Sequence, residues 1–177
     1  MAVREDEILR LLNQLRQSPE EFSGKGVPVP RLHLSTGLCA AARDVVCYLR
    51  TFGFIVSHSE GESPACAPFL ARYGRLEKGP ILENFAYGFS SSLDALVQIL
   101  TSASPHIHGS KANLRASEVR VVGLAAATHI SEQTCLVVIL CSSFFDREAS
   151  GEPVPALAAE FYPARIARRV AETVSAS

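Results

Sequence analysis

The residues best suited to chemistry in this sequence are one acid and three histidines spread along the chain. Glu83 enters the apolar segment 81–88 (ILENFAYG), where a buried and unpaired charge would be unfavourable, so we expect it to have a partner. His58 lies upstream, and His106 and His108 lie downstream, each at the boundary of a predicted element. This order of histidine, glutamate and histidine along the chain predicts that the residues form one functional site.

Two imidazoles and a carboxylate suit Zn²⁺ with water in an open position, and the pKa of such a water can fall to about 7. In that hypothesis Glu83 is the general base of a metal-dependent hydrolase. In the alternative, Glu83 pairs with His58 and only fixes the loops. No Ser-His-Asp or Cys-His-Asn order and no phosphate-binding Gly-rich loop is present. We therefore expect no catalysis, with zinc as the open alternative.

Composition limits the classes of partner. A chain of 177 residues is expected to form one domain with a sizeable core. Hydrophobic residues at 47% and charged residues at 20% are typical of globular proteins. The net charge of -1 and the lack of a basic stripe argue against nucleic acid. The longest apolar run, residues 135–141, is too short for a transmembrane segment.

The N-terminus and the cysteines predict a cytoplasmic location. Residues 1–7 are charged where a signal peptide would be apolar, so secretion is not expected. Five cysteines, an odd number, fit a reducing compartment better than a disulfide framework. Cys39 and Cys47 fall on a predicted helix and are expected to be small core residues. An assembly on the cytoskeleton or in a cilium is the alternative location.

Hydrophobic periodicity predicts the first three helices that must position these residues. The first begins with an acidic turn at residues 5–7, which favours the helix dipole, and ends at Ser18 before a proline. The second begins after a cap at Ser35 or Thr36. A short third helix is predicted over residues 67–73, where a glycine follows.

A fourth helix is predicted after a polar turn. Ser91 and Asp94 have the spacing of a capping pair, in which each side chain satisfies a backbone donor at the helix start. The apolar side chains expected to face the core are those of Leu93, Leu96, Val97 and Leu100.

Two segments, residues 119–124 and 135–141, are predicted to form strands joined by a turn over residues 129–133, and an antiparallel hairpin is the simple pairing. The second segment is apolar at every position, so both faces of the sheet should be covered by helices. We therefore predict an α+β fold, a three-layer α-β-α sandwich with a small antiparallel sheet.

A change of composition divides the chain into a domain of residues 1–147 and a linker with a C-terminal amphipathic helix in residues 148–177. The helix would carry Ile166 and Val170 as an apolar stripe. It either packs on the domain or docks an acidic partner. The basic residues beside the stripe, which are candidates for partner docking, are Arg165, Arg168 and Arg169.

Several segments match known family motifs in the same order, over roughly residues 5–145. They are 12–16 (LNQLR), 57–59 (SHS), 83–88 (ENFAYG), 104–114 (SPHIHGSKANL), 122–125 (VGLA) and the strand 136–140. In this order they resemble the CAP superfamily, also called the SCP-like domain, which includes cysteine-rich secretory proteins, antigen 5 and pathogenesis-related proteins. The most specific likeness is that of residues 83–88 to the family's "EN-I-A-x-G" motif.

The resemblance implies an α-β-α sandwich with a central cavity, where two histidines and two acids can hold a divalent metal. His58, Glu83 and one of His106 and His108 match by position. The second acid, expected at the end of the helix after Ser91, is absent. Relatives bind sterols or lipids and act in extracellular signalling or defence, roles that presume secretion.

We therefore expect a non-catalytic SCP-like binding or scaffold module inside the cell, with protein partners and with lipid or sterol as the alternative ligand. The alternative function is that of a structural component of a cytoskeletal or axonemal assembly.

Overall fold

The computed structural model describes residues 4–23, 26–52, 66–101, 111–128 and 134–147. The helices are α1 (Glu5–Gln17), α2 (Glu20–Ser23), α3 (Thr36–Phe52), α4 (Ala67–Tyr73), α5 (Ser92–Thr101) and α6 (Lys111–Leu114). The strands are β1 (His33–Leu34), β2 (Gly74–Leu76), β3 (Ile81–Tyr87), β4 (Val121–Thr128), β5 (Thr134–Cys141) and β6 (Phe144–Asp146).

The main sheet has the strand order β1-β4-β5-β3. Its three long strands are antiparallel, and β4 and β5 form the predicted hairpin. The short strand β1 runs parallel to β4 at one edge, so the sheet as a whole is mixed. Strand β3, which carries Glu83, forms the opposite edge among the described strands. Strands β2 and β6 form a separate antiparallel pair that the sequence did not predict.

Helices cover both faces of the main sheet, which confirms the α+β sandwich. Residues 135–141 of β5 are all buried, as the unbroken apolar pattern predicted, because successive side chains point to opposite faces. One face packs on α3 and α4 and the other on α1 and α5. The β5 residues on the first face are Cys135, Val137, Ile139 and Cys141. Those on the second face are Leu136, Val138 and Leu140.

Two buried polar side chains tie α1 to the loops around it. The Asn13 amide donates to the Leu32 carbonyl at 3.1 Å and accepts the Leu32 N–H at 2.7 Å. Arg16 is fully buried, and burial lowers the pKa of its guanidinium to about 10. The segment 12–16 is therefore a structural clamp. The carbonyls that accept from Arg16 are those of Pro30 (2.7 Å), Leu114 (2.8 Å), Ala116 and Val119 (both 3.1 Å).

A glycine allows α3 to approach the sheet closely. A Cβ at Gly123 of β4 would lie 2.4 Å from the carbonyl carbon and oxygen of Leu38, so no larger residue fits without moving the backbone. The glycine of the segment 122–125 is thus required by packing rather than by a ligand.

The predicted caps are present. Ser35, not Thr36, caps α3: its Oγ accepts the Leu38 N–H at 3.0 Å. The carboxylate of Asp146 on β6 also accepts the Thr36 and Gly37 N–H groups, both at 3.1 Å, and this links β6 to the positive end of the α3 dipole.

At the start of α5, Ser91 Oγ accepts the Asp94 N–H at 3.1 Å, while the Asp94 carboxylate accepts the Ser90 N–H at 2.8 Å. The predicted pairing of Ser91 with Asp94 is confirmed, and the reciprocal bond is made to Ser90.

Two predictions of burial were wrong. Leu93 and Val97 of α5 are exposed, because the helix presents the stripe Ala95, Leu96 and Ile99 to the core instead. Leu100 is half-buried and packs against that core.

Cys47 was the other error: it lies on the solvent side of α3 and is exposed, whereas Cys39 is buried as predicted. All five cysteines lie within the described residues and are free thiols.

Candidate functional site

Glu83 lies in the middle of β3 and pairs in register with Ile139 of β5. The side chains of Phe85 and Tyr87, which alternate with it along the strand, belong to the core under α3 and α4. Glu83 is 6% exposed. The acid that the sequence singled out is therefore placed inside the protein, where its carboxylate needs donors.

Cys66, directly before α4, supplies donors to this carboxylate. Its N–H donates to Glu83 Oε2 at 3.1 Å, and its thiol also hydrogen-bonds to the Glu83 side chain. Burial, and then the charge of Glu83, raise the pKa of the Cys66 thiol well above its ordinary value. The thiol therefore stays neutral and acts as a donor to Glu83.

The backbone of Glu83 is held from a second element. Asn113 of α6 donates from its amide nitrogen to the Glu83 carbonyl at 3.2 Å. Asn113 belongs to the segment 104–114 that resembles a family motif. One residue of β3 thus contacts the start of α4 through its side chain and α6 through its main chain.

These two contacts bring together the ends of the histidine-bearing segments. Residues 53–65 lead directly to Cys66, and residues 102–110 lead directly to α6. His58 lies in the first segment and His106 and His108 lie in the second, so all three are outside the described residues. The docking candidates Arg165, Arg168 and Arg169 also lie outside them.

The described residues do not by themselves fit a zinc ion. Within them, no three His, Cys, Asp or Glu side chains cluster in a way that could hold a metal. The Glu83 carboxylate accepts the Cys66 N–H at 3.1 Å. A zinc site at Glu83 would need the imidazoles of the histidines outside the described residues.

Sequence reasoning missed Cys66 and Asn113 because it searched for a charged partner for Glu83. A backbone N–H, a thiol and an amide are weak signals in a sequence. The available hints were positional: Cys66 immediately precedes a predicted helix, where an N–H lacks an intrahelical acceptor, and Asn113 stands in a motif-like segment.

No family model and no curated protein matches the chain. Among solved structures, the chain is similar to an outer surface protein from Borrelia burgdorferi, with a TM-score of 0.54 and 14% sequence identity. The match covers 77% of this chain and 90% of that one. The likeness is one of fold. Among the described residues, no helix is both long and apolar enough to cross a membrane.

Proposed function

We propose that the chain is a non-catalytic, CAP-like binding module in which Glu83 is a structural anchor. In this proposal the histidine-bearing segments 53–65 and 102–110 form the binding surface. One observation carries it: the Glu83 carboxylate accepts the Cys66 N–H at 3.1 Å, while its carbonyl accepts from Asn113 at 3.2 Å. The residue thereby holds the ends of both segments.

The burial of Glu83 favours this role over that of a general base. A catalytic carboxylate must reach a water or a substrate hydroxyl and must exchange a proton with it. Glu83 is 6% exposed and accepts two donors from the protein itself.

The composition of the two segments favours a protein partner over a lipid or sterol. Residues 102–110 (SASPHIHGS) contain one large apolar side chain, and residues 53–65 (GFIVSHSEGESPA) become polar after residue 56. A pocket for an apolar ligand is lined mainly by hydrophobic side chains. Residues that bind a partner are found disproportionately on loops carried by a rigid scaffold.

The test compares the histidines of the proposed surface with a histidine of the described structure. The full chain and its His106→Ala/His108→Ala variant are immobilised, and proteins captured from an extract of the source cells are quantified. His33→Ala is the matched control, since His33 is exposed on β1 at the edge opposite β3. We expect a defined partner to be lost from the double variant and kept by the control.

An unchanged set of captured proteins in both variants would contradict the proposed surface. Hydrolysis of ester or peptide substrates that disappears in Glu83→Gln would contradict the non-catalytic role.

A further inference from the structure

Helix α5 carries more apolar surface than the core uses. Its inward stripe is Ala95, Leu96 and Ile99, yet Leu93 and Val97 are also apolar and are 50% and 43% exposed. These two residues are four apart, so they lie one above the other on the same flank of the helix. We call this pair the α5 flank.

One acid lies beside the α5 flank. Asp94 is the single charged residue of α5, and hydrogen bonds from Ser90 lower the pKa of its carboxyl, which keeps it ionised. The start of α1 lies against the start of α5, where the Arg4 N–H donates to Ser92 Oγ at 3.4 Å. Of the acids in residues 4–7, Asp6 pairs with Arg4 at 2.6 Å and Glu5 pairs with Arg43 of α3 at 3.4 Å, so Asp94 supplies the carboxylate beside the flank.

The C-terminal part of the chain has the complementary pattern. Ile166 and Val170 are also four residues apart, and they lie among three arginines in a segment predicted to be helical. We propose that residues 165–170 dock on the α5 flank, with Ile166 and Val170 packed on Leu93 and Val97. The arginines Arg165, Arg168 and Arg169 would then face the Asp94 carboxylate of α5.

The chain is long enough for this docking. The described core ends at Arg147, whose N–H donates to the Tyr73 carbonyl at 2.7 Å on the side of α4. Residues 148–164 can span up to about 55 Å when extended. A compact domain of roughly 140 residues has a radius of gyration of about 14 Å, so this segment can pass from the α4 layer to the α5 layer.

A disulfide trap in the full chain tests the contact. In a Cys47→Ser background, Val97→Cys is combined with Ile166→Cys and the protein is oxidised mildly; the other four cysteines are buried. The control keeps Cys47, which is exposed on α3 in the opposite layer, and adds only Ile166→Cys. Because a disulfide needs the two Cα atoms within about 7 Å, we expect the 97–166 link to form at least tenfold faster than the control link.

The arginines are tested in the same trap. The triple variant Arg165→Glu/Arg168→Glu/Arg169→Glu should form the 97–166 disulfide about fivefold more slowly. Added salt should also slow its formation in the chain that keeps the three arginines. Equal rates for the 97–166 and control pairs would overturn the proposal. A 97–166 link found only between chains would overturn it as well, because a second copy would then occupy the α5 flank.

Discussion

Arg16 and Glu83 are both buried charged residues, and they stabilise opposite helix layers by different means. Arg16 lies in the layer of α1 and α5 and donates to four backbone carbonyls. Glu83 faces the layer of α3 and α4, where its carboxylate accepts from Cys66. Both residues fall in segments that resemble family motifs, yet the sequence pattern singles out only Glu83 for chemistry.

The comparison shows that burial of a charge does not identify a functional site. Arg16 is held by carbonyls of the loops that it joins, so its contacts explain the fold. Glu83 holds Cys66 and Asn113, which are the described neighbours of segments 53–65 and 102–110. Its proposed link to function comes from which segments it joins and not from its charge.

The largest effect is expected from removing the guanidinium of Arg16. Arg16→Met keeps much of the side-chain volume but leaves four carbonyls without their donor, and we expect the free energy of unfolding to fall by about 4 kcal/mol. Urea denaturation measures it. Arg10→Met, on the exposed side of α1, is the matched control and should change stability by less than about 0.5 kcal/mol. Similar losses in both variants would show that the four hydrogen bonds contribute little.

Glu83 should show a smaller and more selective effect. Glu83→Ala removes the acceptor for the buried Cys66 N–H and should lower the free energy of unfolding by about 3 kcal/mol. Glu83→Gln keeps an acceptor oxygen at the same position, so a loss of about 1 kcal/mol is expected. If Gln were as destabilising as Ala, the negative charge itself would be required, and the comparison with Arg16 would have to include a charged partner.

Asn13 is the neutral residue of the clamp that ties α1 to its neighbouring loop, so its replacement tests the clamp without removing a charge. Asn13→Ala leaves the N–H and carbonyl of Leu32 without their partner, and a loss of about 2 kcal/mol is expected. Thermal or urea unfolding provides the measurement. Gln14→Ala, a half-buried neighbour on the same helix, is the control and should have a markedly smaller effect. An equal loss in the two variants would mean that the hydrogen bonds of Asn13 to Leu32 contribute little, because alanine is a better helix former than either residue.

Asp94 supplies the case of a charge at the surface. Its hydrogen bonds from Ser90 and Gln98 lower its pKa in the folded state. The stabilisation is therefore present above the unfolded-state pKa and is lost as the pH falls through the folded-state pKa. Asp94→Ala should lower the free energy of unfolding by about 1 kcal/mol at pH 6, and by progressively less as the solution is acidified toward pH 3.

Asp94→Asn is the control, because an amide keeps an acceptor oxygen but does not titrate. The difference in the free energy of unfolding between Asp94→Asn and Asp94→Ala should therefore be the same at pH 6 and at pH 3. A constant difference between wild type and Asp94→Ala at both pH values would contradict the role of the ionised cap.

The fold was predictable where one physical signal dominated. The unbroken apolar run of β5 required cover on both faces, and the structure provides it. The inward face of α5 was not predictable in the same way, because apolar residues occupy too much of its circumference for periodicity to choose between two stripes. The edge strand β1 is two residues long, too short for any periodic pattern.

The site was predictable only in part. Glu83 was correctly expected to need a partner, since a carboxylate within an apolar strand must be satisfied. Its partners Cys66 and Asn113 come from distant segments, and an N–H or an amide donor leaves no pattern that distinguishes it. The pairing of Glu83 with His58 stays a prediction, as does the zinc site, because each depends on residues outside those described.

The zinc content of the purified full chain tests the central claim most directly. It is measured in the wild type, in His58→Ala and in the control His33→Ala. If Glu83 is a structural anchor in a non-catalytic binding module, all three proteins should contain zinc well below one ion per chain. One zinc per chain in the wild type and in His33→Ala, lost in His58→Ala, would contradict this account and make Glu83 part of a metal centre.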